Sequence, residues 1–341
     1  MSWATLVAAA DVLADAEHAE STKKTRSAQM RAYFRFADEM GLADFPPSAE
    51  ECRLYAVWLM VSVCSRADSL RQYLSALRVY AARRGHWVPS PTEFGPLLAV
   101  VRGAARRFPG PSRRSDPVTP AILTNLLTSR LPDNPTPVQR ITLQVLKDTA
   151  LLLFLTMLRG SNLFPPYPGA ACKIRNLTWD KVRRTGDSVI ITVLLSKTVQ
   201  FRQRLHEICL VAVPGSMFCP VAALDRLRDM RGGLAAPDDH VLQLPRADGT
   251  WRPLVKYEFN RWFRARVEDM GLDPARFLVH GFRHGSIALA MLKQNNVTLI
   301  RLHSNHISEA IFCYSNVDPA KRTAVSAAMI AALDEQALGL A

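Results

Sequence analysis

The stretch that decides the fold lies near the C-terminal end, at residues 278–317: LVHGFRHGSIALAMLKQNNVTLIRLHSNHISEAIFCYSNV. His280 and Arg283 are three residues apart, so a helix would place both side chains on one face. Three further candidate side chains follow, at His303, His306 and Tyr314. A cation that binds phosphate, imidazoles that handle protons and a phenol suit the attack of a tyrosine on a phosphodiester. This chemistry is our first hypothesis for the stretch.

The composition indicates two domains and favours a polyanionic partner. A chain of 341 residues is long enough for two domains that each bury a core. Lysine and arginine number 43 against 30 acidic residues, a formal net charge of +13, and such an excess favours DNA or RNA as the partner. A basic soluble protein without such a partner would have the same composition, so the charge alone leaves both interpretations open.

Cysteine spacing and hydropathy indicate the cellular compartment of the protein and whether it binds a metal or a membrane. The six cysteines are scattered without a CxxC pair, which does not favour a zinc site, and no cofactor or metal is expected. Their spread is typical of reduced thiols in an intracellular protein. Residues 3–16 are apolar but contain two aspartates and no basic start, which indicates an amphipathic helix rather than a signal peptide. The apolar run at 150–158 is too short to span a bilayer, so no membrane is expected as a partner.

The first third of the chain predicts a helical domain with a basic rim. Apolar residues recur at helical spacing within 20–41, 48–64, 68–84 and 92–107, and Leu54 is predicted to belong to one such buried face. The arginines expected to contact DNA are Arg71, Arg78, Arg106, Arg107, Arg113 and Arg114. For any one of them, a solvated surface position is the open alternative.

A segment rich in proline and arginine, RRFPGPSRRSDP at 106–117, predicts the boundary between two domains. Its three prolines and one glycine disfavour a helix or a strand, and its charge suits a chain that crosses a DNA backbone. We therefore predict a helical DNA-clamp domain over 1–107, a basic linker over 108–117 and a second domain over 118–341.

Beyond the linker, the pattern predicts further helices and a small antiparallel sheet. A long apolar helix over 137–157 is followed by Arg159, whose charge needs an anionic partner or water. Two strand-like runs, 187–196 and 205–213, flank a hairpin tip with Lys197 at its root.

Five segments, in this order, resemble the catalytic domain of the tyrosine recombinases, the phage-integrase superfamily: FLTMLRGSNL, LLSKTVQ, CPVAAL, HGFRHG and HISEAIFCY. The SKT run and the last three segments look most like recombinases of DIRS-type retrotransposons and cryptons. The similarity covers about residues 118–335. It implies a mainly α fold, with a helical, SAM-like core-binding domain before an α-rich catalytic domain that contains a small antiparallel β-sheet.

By this resemblance, two arginines and a tyrosine form the reacting centre. Arg159 and Arg283 would hold the phosphate oxygens in fork geometry, and Tyr314 would attack the phosphorus. A site without a metal needs such fixed cations to offset the charge that develops during attack. Taken alone, Arg159 could instead cap a helix C-terminus and Tyr314 could be a core aromatic.

Three more residues take proton-handling roles by the same resemblance. His280 would accept or relay the phenol proton or bind the phosphate, His306 would donate a hydrogen bond to the phosphate, and Lys197 would protonate the leaving 5′ oxygen. Each could instead be an ordinary hairpin, loop or surface residue. Whether His303 or His306 faces the site is open.

The chain departs from the family pattern at two places. The family usually has an acid three residues after the first arginine, where this chain has Asn162, which cannot form an ion pair with Arg159. The interval from His306 to Tyr314 is eight residues, whereas many bacterial members have nine. His284, directly after Arg283, is a possible supporting group.

The resemblance implies cleavage and rejoining of DNA strands through a 3′-phosphotyrosine intermediate, in site-specific recombination or integration of a mobile element. Expected partners are double-stranded DNA and further copies of the chain, as a tetramer on two DNA sites. The last helix would pack on its own domain or dock on a neighbouring copy. The protein would work beside the DNA, in the nucleus of a eukaryote or the cytoplasm of a bacterium. A type IB topoisomerase and a catalytically silent DNA-binding protein are the alternatives.

Overall fold

The computed structural model describes residues 5–6, 9, 20–42, 45–64, 66–108, 115–131, 133–195, 205–232, 235–293, 296–304 and 319–338. The chain divides into two compact units, Met1–Ser112 and Arg113–Ala341, each with its own apolar core. Among the described ranges, no helix has the length and apolar character needed to cross a membrane. The predicted linker limits, 108–117, stay a prediction.

Four helices are described in the first unit: α1 (Glu20–Glu39), α2 (Ala49–Ser62), α3 (Ala67–Ala82) and α4 (Gly95–Arg107). Aromatic rings fill their shared core, with the centroids of Tyr33 and Tyr55 5.3 Å apart in an edge-on contact. A capping box starts α2, because the Ser48 amide donates to Glu51 Oε2 at 2.6 Å and the Glu51 amide donates to Ser48 Oγ at 3.2 Å.

Two details of the first unit differ from the prediction. Helix α4 begins at Gly95 instead of residue 92, because Ser90 and Glu93 close a turn before it, with the Ser90 amide 2.6 Å from Glu93 Oε2. The prediction that Leu54 is buried is wrong, since the side chain is 45% exposed. Helix α2 is apolar on most of its surface, so spacing alone did not indicate which side meets the core.

The second unit is mainly helical around the long helix α6, whose residues 150–155 are buried. Its described helices are α5 (Pro120–Thr128), α6 (Pro137–Thr156), the one-turn α7 (Gly160–Leu163), α8 (Pro220–Asp229), α9 (Lys256–Asp269), α10 (His280–Lys293), α11 (Val297–Ser304) and α12 (Pro319–Leu338). Its described strands are β1 (Val182–Thr185), β2 (Ser188–Val193), β3 (His206–Val211), β4 (Gln243–Pro245) and β5 (Trp251–Pro253). Thr119 caps the start of α5, because its hydroxyl oxygen accepts a hydrogen bond from the Ile122 amide at 3.3 Å.

Two small antiparallel sheets flank these helices. Strands β1, β2 and β3 form one sheet in that order, with Val193 opposite His206, and β4 pairs with β5 in the other. The antiparallel pairing of β2 with β3 confirms that the two predicted strands are neighbours, although both are shorter than predicted. The predicted hairpin tip with Lys197 lies outside the described residues. Strand β1 was not predicted because its sequence, VRRT, lacks alternating apolar residues, and β5 has only three residues.

Helix α12 packs on the second unit of its own chain. Its buried face includes Val325, Met329 and Leu333, each fully buried. The Ser326 hydroxyl donates to the Cys209 carbonyl of β3 at 3.2 Å, which ties the helix to the sheet. Of the two arrangements left open by the sequence, packing within the unit is the one observed in this chain.

The beginning of the second unit passes close over α10. The Val118 amide donates to the Gly281 carbonyl at 2.9 Å, and the Leu278 amide donates to the Ser115 hydroxyl at 2.9 Å. A Cβ atom added at Gly285 would lie 1.8 Å from the Val118 carbonyl oxygen, so no larger residue fits without movement of the backbone. The two glycines of HGFRHG therefore permit this close approach.

We predict that Gly285→Ala destabilises the second unit by about 1–3 kcal/mol, because its added methyl group overlaps a backbone oxygen. Chemical denaturation followed by circular dichroism measures the change. Gly103→Ala is the matched control, since that glycine lies inside helix α4 with open space around its Cβ position. The control should be neutral or slightly stabilising. Wild-type stability in Gly285→Ala would contradict the packing described.

Candidate functional site

The C-terminal end of α6 holds two basic side chains of the candidate site. Met157 ends the helix in the left-handed conformation, with φ at 51°, which is uncommon for a residue with a side chain. The carbonyl of Met157 accepts a hydrogen bond from Arg283 Nη1, and the carbonyl of Leu155 accepts one from His303 Nε2 at 2.7 Å. A cation at this position is favoured because the carbonyl end of a helix carries partial negative charge.

Arg159 lies two residues beyond Met157, which ends α6, and the interpretation of its charge as one that neutralises the helix dipole stays open. Met157 is the capping residue, and Arg159 instead precedes the short helix α7. The next residue, Gly160, packs against Val279, since a Cβ at Gly160 would lie 2.9 Å from Val279 Cγ1. Val279 directly precedes α10, the helix of Arg283. The two arginine-bearing segments, far apart in sequence, are therefore in contact.

The two guanidinium groups are close enough to repel each other. Burial and, to a smaller extent, the positive charge of Arg159 together lower the pKa of Arg283 to about 10. Burial also lowers the pKa of Arg159. Arg283 is 3% exposed, whereas Arg159 is half-buried and can still meet a ligand from solvent.

Arg159 has no acidic partner in the part of the chain that the structure describes. Bringing two positive charges together without a carboxylate at one of them is unfavourable, and an anion bound between them would reverse that cost. Arginine forks match the oxygen geometry of phosphate well. The arrangement therefore favours the binding of a phosphate-sized anion near the C-terminal end of α6.

His280 lies in the same positive environment. Loss of solvation and, to a smaller extent, the neighbouring His284, Arg283 and Arg159 together lower the pKa of His280 to about 4. Its ring lies edge-on to that of His284, with centroids 4.4 Å apart. The residue is nevertheless exposed at the surface. A pKa of about 4 makes it a neutral imidazole at pH 7, and a weak base as long as no anion is bound nearby.

His284 and Lys256 complete the described surroundings. His284 Nδ1 lies 3.2 Å from the Ser115 carbonyl oxygen, which supports its interpretation as a group behind the site. Lys256, the first residue of α9, adds positive charge near His280. Sequence reasoning missed Lys256 and the carbonyl of Met157, because neither belongs to a recognisable motif and both reach the site through packing.

His303 lies inside the second unit rather than at its surface. The side chain is 3% exposed, and burial lowers its pKa to about 4. Its bond to the Leu155 carbonyl places it behind Arg283. Of the other predicted site residues, Lys197, His306 and Tyr314 lie outside the described residues. No cluster of three or more potential metal ligands occurs within the described ranges.

The arginines predicted to contact DNA are at the surface where they are described. Arg71 and Arg78 are exposed on α3 and line the same hollow, and Arg106 and Arg107 are exposed in the last turn of α4. Arg78 is partly engaged, since its Nε donates to the Val88 carbonyl at 3.3 Å. Arg113 and Arg114 lie outside the described residues.

Solved structures with the same architecture are recombinases. The integrase of transposon Tn1549, in complex with transposon right end DNA, aligns with a TM-score of 0.58 and 14% identity over 93% of this chain and 95% of that chain. The site-specific recombinase XerH, bound to palindromic difH substrate, aligns with a TM-score of 0.53 and 11% identity over 90% of this chain and 76% of that chain. The chain has the tyrosine-recombinase fold.

The comparisons confirm the predicted fold class, mainly helical with small antiparallel sheets. At these low identities they establish the fold alone. No protein-family model matches the chain, and no curated protein matches it either. The resemblance to DIRS-type and crypton recombinases stays a prediction.

We predict that Arg159→Gln raises the pKa of His280, because it removes a positive charge that disfavours the imidazolium form. Proton NMR titration of the imidazole C2 signals measures the shift, with a wild-type midpoint near 4. Arg264→Gln, which removes an exposed charge from α9, is the control and should leave that midpoint in place. Equal His280 midpoints in wild type and Arg159→Gln would show that Arg159 is not a close neighbour.

Proposed function

We propose that this protein cuts and rejoins DNA strands as a tyrosine recombinase, through a 3′-phosphotyrosine intermediate. The observation that carries the proposal is the approach of Arg159 to Arg283, with no carboxylate paired to Arg159 in the described ranges. The shared fold supports it, because both structural neighbours named above are recombinases in complex with DNA.

In the proposed reaction, the arginine pair binds the two non-bridging oxygens of one phosphate and offsets the charge that develops there. The Tyr314 oxygen attacks the phosphorus and its proton passes to the neutral imidazole of His280. The bond from phosphorus to the 5′ oxygen breaks, and Lys197 donates a proton to that leaving oxygen. His306 donates a hydrogen bond to the phosphate.

Rejoining reverses these steps with another strand. A 5′ hydroxyl attacks the phosphotyrosine, the phosphorus–tyrosine bond breaks, and the phenol regains a proton. One phosphoester replaces another at each step, so the energy of the broken bond is conserved and no ATP is needed. This chemistry relies on fixed side-chain cations, so the proposed reaction should continue in the presence of a metal chelator.

The proposal also includes the partners of the protein and the kind of recombination that it performs. Double-stranded DNA would be gripped by surface arginines of both units, and two DNA sites would be paired by a tetramer of this chain. Helix α12 could exchange between copies in that assembly, although it packs within the unit here. Mobile-element recombination of the DIRS or crypton type fits the SKT, HGFRHG and HISEAIFCY segments.

We predict that Tyr314→Phe abolishes a covalent protein–DNA adduct but keeps DNA binding, because only the nucleophilic oxygen is removed. The substrate is a pool of duplexes with a randomised centre and a nick at varied positions, so that a cleaved fragment diffuses away and the adduct accumulates. Denaturing gels measure the adduct, and sequencing of trapped DNA identifies preferred sites. Tyr257→Phe, which alters an exposed phenol of the same unit, is the control.

The outcomes of this assay separate the alternatives. An adduct in wild type and in Tyr257→Phe, but not in Tyr314→Phe, supports the proposal. Binding without any wild-type adduct indicates a catalytically silent DNA-binding protein. Relaxation of a supercoiled plasmid by a monomer, without site pairing, indicates topoisomerase action instead. An adduct that persists in Tyr314→Phe contradicts the assigned nucleophile.

We also predict that binding weakens steeply with salt, and that Arg106→Gln with Arg107→Gln reduces the slope of log K against log salt by about 2, one per lost phosphate contact. Fluorescence anisotropy with a labelled duplex measures the slope. Arg53→Gln is the charge-matched control, because Arg53 is already engaged by Glu50 at 2.8 Å. Equal slopes in the double variant and wild type would remove these two residues from the DNA surface.

A further inference from the structure

Asn162 forms a long-range contact that the proposed chemistry above does not use. The residue belongs to α7, three positions after Arg159, and is 3% exposed. Its side-chain Nδ2 donates a hydrogen bond to the Leu195 carbonyl at 2.8 Å. Leu195 follows strand β2, and Lys197 is two residues further along the chain. The contact therefore joins the turn after the first arginine to the root of the lysine hairpin.

The chemistry of this contact requires a donor at position 162. A backbone carbonyl only accepts hydrogen bonds, so the amide nitrogen of Asn162 must be the atom that faces it. An ionised carboxylate also only accepts, and would place two oxygens with partial or full negative charge against each other. The acid that the family pattern usually has here could not make this bond in its charged form. Asparagine at position 162, in place of the acid usual in the family, therefore suits the Leu195 carbonyl that it faces.

Hydrogen bonds to neighbouring backbone groups hold α7 in place. The bond from the Asn162 side chain can therefore fix the position of Leu195. The Asn162 amide donates to the Arg159 carbonyl at 2.8 Å, and the Leu177 amide donates to the Asn162 carbonyl at 3.0 Å. The side chain of Asn176 adds a third bond, with its Nδ2 3.2 Å from the Ser161 carbonyl. The same short helix begins at Gly160, which packs on Val279 beside α10. A fixed α7 therefore links the hairpin root with both arginine segments.

We propose that Asn162 is a positioning residue: its bond to the Leu195 carbonyl fixes Leu195, two residues before Lys197, relative to the arginine pair. The effect of Asn162 on the reaction rests on the proposed strand-transfer function. The hydrogen bond itself can be tested without any activity. Two residues of extended chain span at most about 7 Å, so fixing Leu195 limits where Lys197 can reach. The bond acts on the general acid through the hairpin and touches no reacting atom.

The test compares Asn162→Asp, Asn162→Ala and wild type across pH 5.5–8. The aspartate variant is nearly isosteric but lacks the donor when ionised, so its adduct rate at pH 8 should fall about 10- to 100-fold below wild type. Burial raises the pKa of a carboxyl group, and the protonated form can donate to Leu195. The rate of Asn162→Asp relative to wild type should therefore recover as the pH falls. Asn162→Ala should be slow without any recovery.

Hydrogen exchange separates this inference from the proposed function. At pH 8, peptides that cover residues 190–195 should exchange faster in both variants than in wild type, while peptides from α10 should not change. If wild type forms no adduct but this local exchange increases, the proposed function fails and the positioning contact stands. Unchanged exchange at 190–195 overturns the inference. So does an Asn162→Asp to wild-type rate ratio that is flat with pH.

Discussion

The repulsion between Arg159 and Arg283 is the constraint on which the site depends. Two guanidinium groups approach each other in a partly dry environment, and no acid is paired to Arg159 among the described residues. The fold offsets this by offering the Met157 carbonyl to Arg283 at the negative end of a long helix. An anion bound at Arg159 would offset this repulsion, which is why the proposed function places a phosphate there.

Close backbone packing makes that approach possible. Gly160 allows the turn after α6 to lie on Val279, and Gly281 and Gly285 allow residues 115–118 to lie on α10. A larger side chain at Gly160 would press against Val279 beside the segment of Arg283, and one at Gly281 or Gly285 would displace residues 115–118 from α10. This packing holds the segment of Arg159 against the segment that leads into α10, and no carboxylate is paired to Arg159 among the described residues.

The sequence predicted those parts of the site that local patterns encode. The apolar run before Arg159 and the helical spacing of His280 and Arg283 follow from periodicity and charge, whereas the grouping of the three residues was implied by the resemblance to the tyrosine recombinases. In the structure both arginines are near enough to His280 to lower its pKa. The left-handed turn at Met157 and the position of Lys256 depend on tertiary packing, which no local pattern records. The prediction that Leu54 is buried was wrong for a related reason. When a helix is apolar on most sides, its sequence does not indicate which face is buried.

The most direct measurement is a structure of the covalent protein–DNA complex trapped with a nicked duplex. The account predicts that the guanidinium groups of Arg159 and Arg283 both lie within hydrogen-bond distance of oxygens on the phosphate joined to Tyr314. A complex in which the phosphate meets neither guanidinium, or in which the Tyr314 hydroxyl is enclosed by apolar side chains away from both, would contradict it.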